Sequence, residues 1–94
     1  MRPRLVRLSE EALAAIASMH PEQRRKVREA IDRLRADPAL GKELTGELDG
    51  WRSLRVARLR IVYRVAPRCI EIAALGPRAT IYLEATRLAG KPPD

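Results

Sequence analysis

The chain has one cysteine, one histidine and no phenylalanine in 94 residues, and aromatic residues make up 3% of it. A single thiol, Cys69, excludes an internal disulfide framework and any cysteine-rich metal site. His20 is the one imidazole, so no cluster of metal ligands forms, and neither metal nor cofactor is expected. Lysine is scarce as well: sixteen of the nineteen basic residues are arginine. No apolar run approaches the length of a bilayer span, and the N-terminus lacks the pattern of a secretory signal. No segment joins the basic charge to a large apolar face of the kind that lies on membranes. These absences predict a cytoplasmic protein with no membrane partner.

What is present is positive charge. The net charge is +7 and the isoelectric point about 10.7. Guanidinium forks match phosphate oxygens in pairs, whereas ammonium groups act as point charges. A GC-rich coding sequence would give the same arginine bias, so composition alone does not choose between the two origins. The length suits one modest core, taken here as residues 1–90, with 91–94 (Lys-Pro-Pro-Asp) a loose tail.

Along the chain, Arg2 to Leu8 alternates weakly and reads as a strand. Ser9 is a good N-cap, and Glu10 and Glu11 suit the positive end of the helix that follows. Leu13, Ile16 and Ala17 are the expected apolar stripe of that helix, which ends at His20-Pro21. Pro21 opens a second helix, with Val27, Ala30, Ile31 and Leu34 as its buried face, ending at Asp37-Pro38. Residues 38 to 50, with three glycines, read as an irregular loop.

Five arginines then fall between residues 52 and 64, inside a predicted hairpin of about Trp51–Ala57 and Arg60–Ala66. A further strand is expected at Cys69–Leu75, broken by Gly76-Pro77, and Ile81–Leu88 could be strand or helix. The order β-α-α-β-β-β predicts an α+β fold, with a helix hairpin on one face of a mainly antiparallel sheet. Period-two parity puts Leu54, Val56, Ile61, Tyr63, Val65, Ile70 and Ile72 against the helices. Ser53, Arg55, Arg60, Val62, Arg64, Glu71 and Ala73 face the other way, giving an arginine-rich surface suited to nucleic acid.

The segment Leu44 to Tyr82 resembles the RelE/ParE superfamily of bacterial type II toxins. The resemblance rests on Leu44-x-Gly46-x-Leu48-x-Gly50-Trp51 entering the sheet, the hairpin Leu54-Arg55-Val56-Ala57-Arg58-Leu59-Arg60-Ile61-Val62-Tyr63, and the close Gly76-Pro77-Arg78-x-x-Ile81-Tyr82. Each motif alone is weak, but three in order with matching topology are fairly specific, and nearer the RelE-like branch. The resemblance implies a toxin neutralised by an antitoxin whose binding segment is acidic and amphipathic. For the RelE-like branch it also implies entry into the ribosome and metal-free cutting of mRNA by attack of the ribose 2′-hydroxyl.

Carried over by position, the resemblance gives Arg60 the scissile phosphate, Arg78 phosphate stabilisation or leaving-group protonation, and Tyr82 stacking or hydrogen bonding. Arg55 stands where RelE-like toxins often have lysine, and a guanidinium holds its proton too tightly to act as a base. Arg55 is therefore expected to clamp phosphate, with Arg58, Arg64 and Arg52 as further binding charge. The base would be a carboxylate, Glu43 ahead of Glu71. The plainer readings are a solvated charged face for the arginines, a packing anchor for Trp51, and a core position for Tyr63 with its hydroxyl bonded at the sheet edge. Three functions stay open: a ribosome-dependent mRNA endonuclease, a ParE-like poison of DNA gyrase, and a nucleic-acid-binding module without chemistry.

Overall fold

In the computed structural model, which describes residues 4–77, β1 (Leu5–Leu8) leads into α1 (Glu10–Ala17) and α2 (Pro21–Ala36). There follow β2 (Lys42–Glu43), β3 (Arg52–Val56), β4 (Leu59–Val65) and β5 (Cys69–Pro77). The sheet order is β1-β5-β4-β3-β2, antiparallel except for the β1–β5 pair. The α+β architecture is thus the expected one. None of the described helices is long and apolar enough to cross a membrane.

Local chemistry accounts for the joints. The Ser9 side chain accepts from the Ala12 amide at 3.0 Å, capping α1, and its hydroxyl donates to the Ala73 carbonyl at 2.6 Å. Pro21 occupies the first turn of α2, where its missing N–H costs nothing. At the far end of α2 the Arg35 Nε donates to the Arg4 carbonyl, and Arg4 donates to the carbonyls of Ala66 and Pro67. These bonds tie the second helix to the β4–β5 turn through β1.

The main core lies between the helices and the sheet: Ala12, Val27, Ala30 and Leu34 meet Val56, Ile61, Tyr63, Ile70, Ile72 and Leu75. Full burial contributes roughly 1.5–3 kcal/mol for each large side chain. Leu54 packs at the rim, whereas Val65, at the end of β4, is 37% exposed and leaves the core.

Besides Val65, four expectations need correction. The stripe of α1 is rotated: Ala12 is fully buried and Ile16 packs on the core, while Leu13 is 52% exposed. With only two turns, a one-residue phase error moves a side chain across the helix. Residues 38 to 50 are not an irregular loop; they hold two single-turn 3-10 segments, Pro38–Leu40 and Gly46–Leu48, flanking β2. Gly76-Pro77 does not break β5, which pairs with β4 as far as Leu59↔Pro77. This fits the rule that proline within a sheet is confined to strand ends, edges and bulges.

The fourth correction concerns parity. β5 carries a bulge opposite Val62 and Tyr63, so Ala73 is an extra residue, Ala74 pairs with Val62, and Leu75 turns into the main core. The Ser9 hydroxyl donates to the carbonyl of this bulged residue. The segment Ile81–Leu88 and the tail 91–94 lie outside the described residues.

Candidate nucleic-acid interface

On the sheet face away from the helices, side chains fall in rows set by the register. Arg55 is paired directly with Arg60, and Arg60 with Gly76. Directly opposed side chains share a face at about 5 Å between Cβ atoms, and like charges there repel. Arg55 has one bond, from Nε to the Ala57 carbonyl at 3.3 Å. Among the described residues the Arg60 guanidinium has no hydrogen-bond or ion-pair partner, although the residue is partly buried. Two neighbouring cations with no carboxylate between them make a seat for an anion.

The next row, Ser53, Val62 and Ala74, is covered. Leu48 from the second 3-10 turn packs on Val62 and Ala74, with Leu44 and Trp51 at the edge. This small second core divides the polar face. Beyond it Arg64 and Glu71 are paired in the ladder and joined by two bonds of 3.0 and 2.7 Å. The Arg64 guanidinium also lies over the Trp51 ring, 4.6 Å from its centre. Trp51 is thus a packing anchor, and Arg64 and Glu71 already satisfy one another.

Arg52 and Glu43 oppose each other in the β2–β3 ladder, and Arg52 opposes the core residue Tyr63. That row points to the helix side. There Arg52 donates to the Gly41 carbonyl at 2.7 Å and meets the Glu43 carboxylate at 3.2 Å. The structure therefore does not bring Glu43 together with Arg55 and Arg60. Arg58 sits exposed in the two-residue turn, close in sequence to both arginines and with no partner of its own among the described residues. Arg78 and Tyr82 lie outside the described residues; in the chain, Arg78 follows Gly76, the ladder partner of Arg60, by two positions.

One residue escaped the sequence reading. Lys42 pairs with Ser53 and so shares the face of Val62, Arg55 and Arg60. The signal that would have found it is the two-residue strand within a glycine-rich stretch, too short for periodicity to show.

The entry segment is held by Tyr63. Its buried hydroxyl accepts from the Gly41 amide and donates to the Pro38 carbonyl, both at 2.8 Å. Burial is the largest influence on this phenol and raises its pKa above the ordinary 10.0; the Gly41 amide and the Arg52 charge pull the other way. A side chain at Gly41 would meet the hydroxyl at 2.6 Å, so the close approach requires glycine. Among the described residues no group of three or more His, Cys, Asp or Glu is placed to hold a metal ion.

The model of a family described as ParE toxin of type II toxin-antitoxin system, parDE, matches residues 6–82. No curated protein sequence matches the chain. Among solved structures, the toxin-antitoxin complex RelBE2 from Mycobacterium tuberculosis contains a chain 29% identical, with a TM-score of 0.73 over 81% of this chain and 99% of that one. An archaeal RelE-RelB complex from Pyrococcus horikoshii is 26% identical, with a TM-score of 0.65 over 83% of this chain and 97% of that one. A mutant of the Escherichia coli toxin RelE in its free state shares the fold, with a TM-score of 0.76, 18% identity, and coverage of 90% of this chain and 96% of that one.

Proposed function

The chain belongs to the ParE toxin family of type II toxin-antitoxin systems, within the RelE/ParE superfamily, and from that membership we propose that it cuts mRNA on the ribosome. The observation that carries this reading is the row of Arg55 and Arg60, two arginines directly opposed in the ladder with no carboxylate partner among the described residues. An isolated pair of this kind costs stability and returns it only when an anion binds. A phosphodiester is the anion that suits two adjacent forks.

In the proposed reaction the 2′-hydroxyl attacks its own 3′-phosphate, closing a cyclic phosphate and expelling the 5′-oxygen of the next nucleotide. The pentavalent phosphorus gathers negative charge, and Arg60 with Arg55 stabilises it, assisted by Arg78. Arg78 or Tyr82 delivers the proton to the leaving oxygen, and Tyr82 stacks on a base to fix the geometry. Glu43, bonded to Arg52 on the helix side of the sheet, does not reach this row, so the proton of the 2′-hydroxyl passes to water. Lys42 adds a third cation on the face of the arginine row.

The test is primer-extension mapping of mRNA in a reconstituted translation reaction. Cuts within ribosome-bound codons are expected, reduced about 100-fold or more by Arg60→Ala. Because Arg60 has no partner among the described residues, the same variant should lose less than about 0.5 kcal/mol of stability. No cuts at saturating protein would overturn the reading. The matching family model carries the name of ParE, and the site has arginine at position 55. Both favour a second reading, a gyrase poison acting through protein contacts, which a gyrase cleavage-complex assay would detect.

A further inference from the structure

At the opposite end of the sheet face from Arg55 and Arg60, β1, β5 and Trp51 enclose a cavity. Its volume is about 260 Å³, and Arg7, Trp51, Glu71, Ile72 and Ala73 are among the residues that line it. Arg7 and Glu71 are ladder partners on neighbouring strands, about 4.8 Å apart. Both point away from the helices, because Val6, Leu8, Ile70 and Ile72 on either side of them pack on the main core. Arg7 is exposed and has no hydrogen-bonded or ion-paired partner among the described residues. Both bonds from Arg64 fall on Oε1 of Glu71, and Oε2 has no partner among the described residues. The indole of Trp51 is fixed from one side by the Arg64 guanidinium. One cavity therefore presents an unpaired arginine fork, an open carboxylate oxygen and an anchored aromatic ring.

We propose that this cavity seats a guanine base of the RNA strand, at a nucleotide away from the scissile bond. Guanine carries two acceptors, O6 and N7, on the edge that matches an arginine fork, and its N1–H and N2 amine are donors that a carboxylate accepts. Adenine has an amine in place of O6 and would meet Arg7 donor against donor. The single ring of a pyrimidine stacks over less of the indole and offers no N7 to the fork. Size agrees as well, since about 260 Å³ falls below the ~300–1,000 Å³ of sites for whole small molecules. From Arg60 to Arg64 the strand β4 advances roughly 13 Å. Different nucleotides of one strand would thus occupy the phosphate seat and this cavity. The proposal rests on the reading of the chain as an RNA-cutting toxin and adds a sequence preference to it.

The experiment titrates the purified full chain with uridine pentanucleotides that carry guanine or adenine at the centre, 2′-O-methylated to block cutting. The fluorescence of Trp51, the single tryptophan, reports binding from the cavity wall. The guanine probe should bind about tenfold or more tighter than the adenine probe, and should quench the indole. Arg7→Ala and Glu71→Gln should each reduce that ratio to about threefold or less, whereas Arg60→Ala should weaken both probes and keep the ratio. Inosine, which lacks the N2 amine, and 7-deazaguanine, which lacks N7, test the same contacts without altering the protein. Each should bind several-fold more weakly than guanine. Equal affinity for the guanine and adenine probes would overturn the proposal, as would a preference that survives both variants and both analogues. Guanosine monophosphate binding as tightly as the guanine pentanucleotide would assign the cavity to a free nucleotide and overturn its place on the RNA strand. A guanine preference without cuts in the translation reaction overturns the nuclease reading while the base pocket stands; cuts without the preference overturn this inference alone.

Discussion

Tyr63→Phe removes one oxygen atom from the centre of the protein and two hydrogen bonds with it. The buried Gly41 amide loses its acceptor. The Pro38 carbonyl loses its donor but lies in a partly exposed segment, where solvent can compensate. An unsatisfied buried amide costs about 1–3 kcal/mol, so a net loss of about 2 kcal/mol is expected. For a domain of this size that lowers Tm by roughly 10 °C. Urea unfolding monitored by Trp51 fluorescence gives the free energy directly, at unchanged m-value.

The same variant carries a pH signature. The phenol is raised in the folded state, because burial favours its neutral form. Its contribution is therefore fully present below the unfolded value near 10 and is lost as pH rises through the folded value. The stability difference between wild type and Tyr63→Phe should shrink above about pH 10. Hydrogen exchange should accelerate at residues 41–43, while the Arg55–Arg60 ladder keeps its protection. A loss below about 0.5 kcal/mol, or a difference independent of pH, would refute the claim that this hydroxyl anchors the entry segment.

Two other perturbations follow from the joints of the fold. Ala57 opens the β3–β4 turn at φ 54°, a left-handed conformation that suits glycine better than alanine. Ala57→Gly should stabilise by about 0.5–1 kcal/mol in urea unfolding, and a destabilisation would show that the methyl group packs usefully against its neighbours. Ser9→Ala removes both the cap of α1 and the donor to the bulge carbonyl of Ala73; a loss of about 1–2 kcal/mol is expected by thermal or urea unfolding. A loss confined to a few tenths would mean that the bulge does not depend on this hydroxyl.

The elements with long, clear periodicity were legible in the sequence. In α2, a helix of 16 residues, the apolar positions recur at i, i+3, i+4 and i+7, so Val27, Ala30 and Leu34 could be assigned to the core from spacing alone. The β3–β4 hairpin was equally plain, because alternation of arginine with leucine, valine and isoleucine leaves one register that buries the apolar set. Where periodicity is short or interrupted, the reading failed. α1 offers eight residues rich in alanine, and its phase depends on whether Ala12 or Leu13 fits under β5, which only packing decides. The bulge at Ala73 reverses parity in mid-strand without any glycine or proline to announce it. Lys42 and Glu43 sit in two residues of strand, and which of them shares the arginine face depends on pairing with Ser53 and Arg52.

The expected uniform positive face also resolves into parts with different meanings, and the difference lies in pairing. Arg52 and Arg64 each have a carboxylate and a second contact: a backbone carbonyl for one, the Trp51 ring for the other. Moving either onto a phosphate would exchange one set of favourable contacts for another, with little net gain. Among the described residues Arg55, Arg58 and Arg60 have no carboxylate, and they lie at the turn end of the hairpin, where Gly76 pairs with Arg60. An anion arriving there displaces only water and relieves repulsion between neighbours. Counting arginines in the sequence treats all five of the hairpin as equivalent. Counting those without a carboxylate concentrates the binding free energy at the turn end of the sheet.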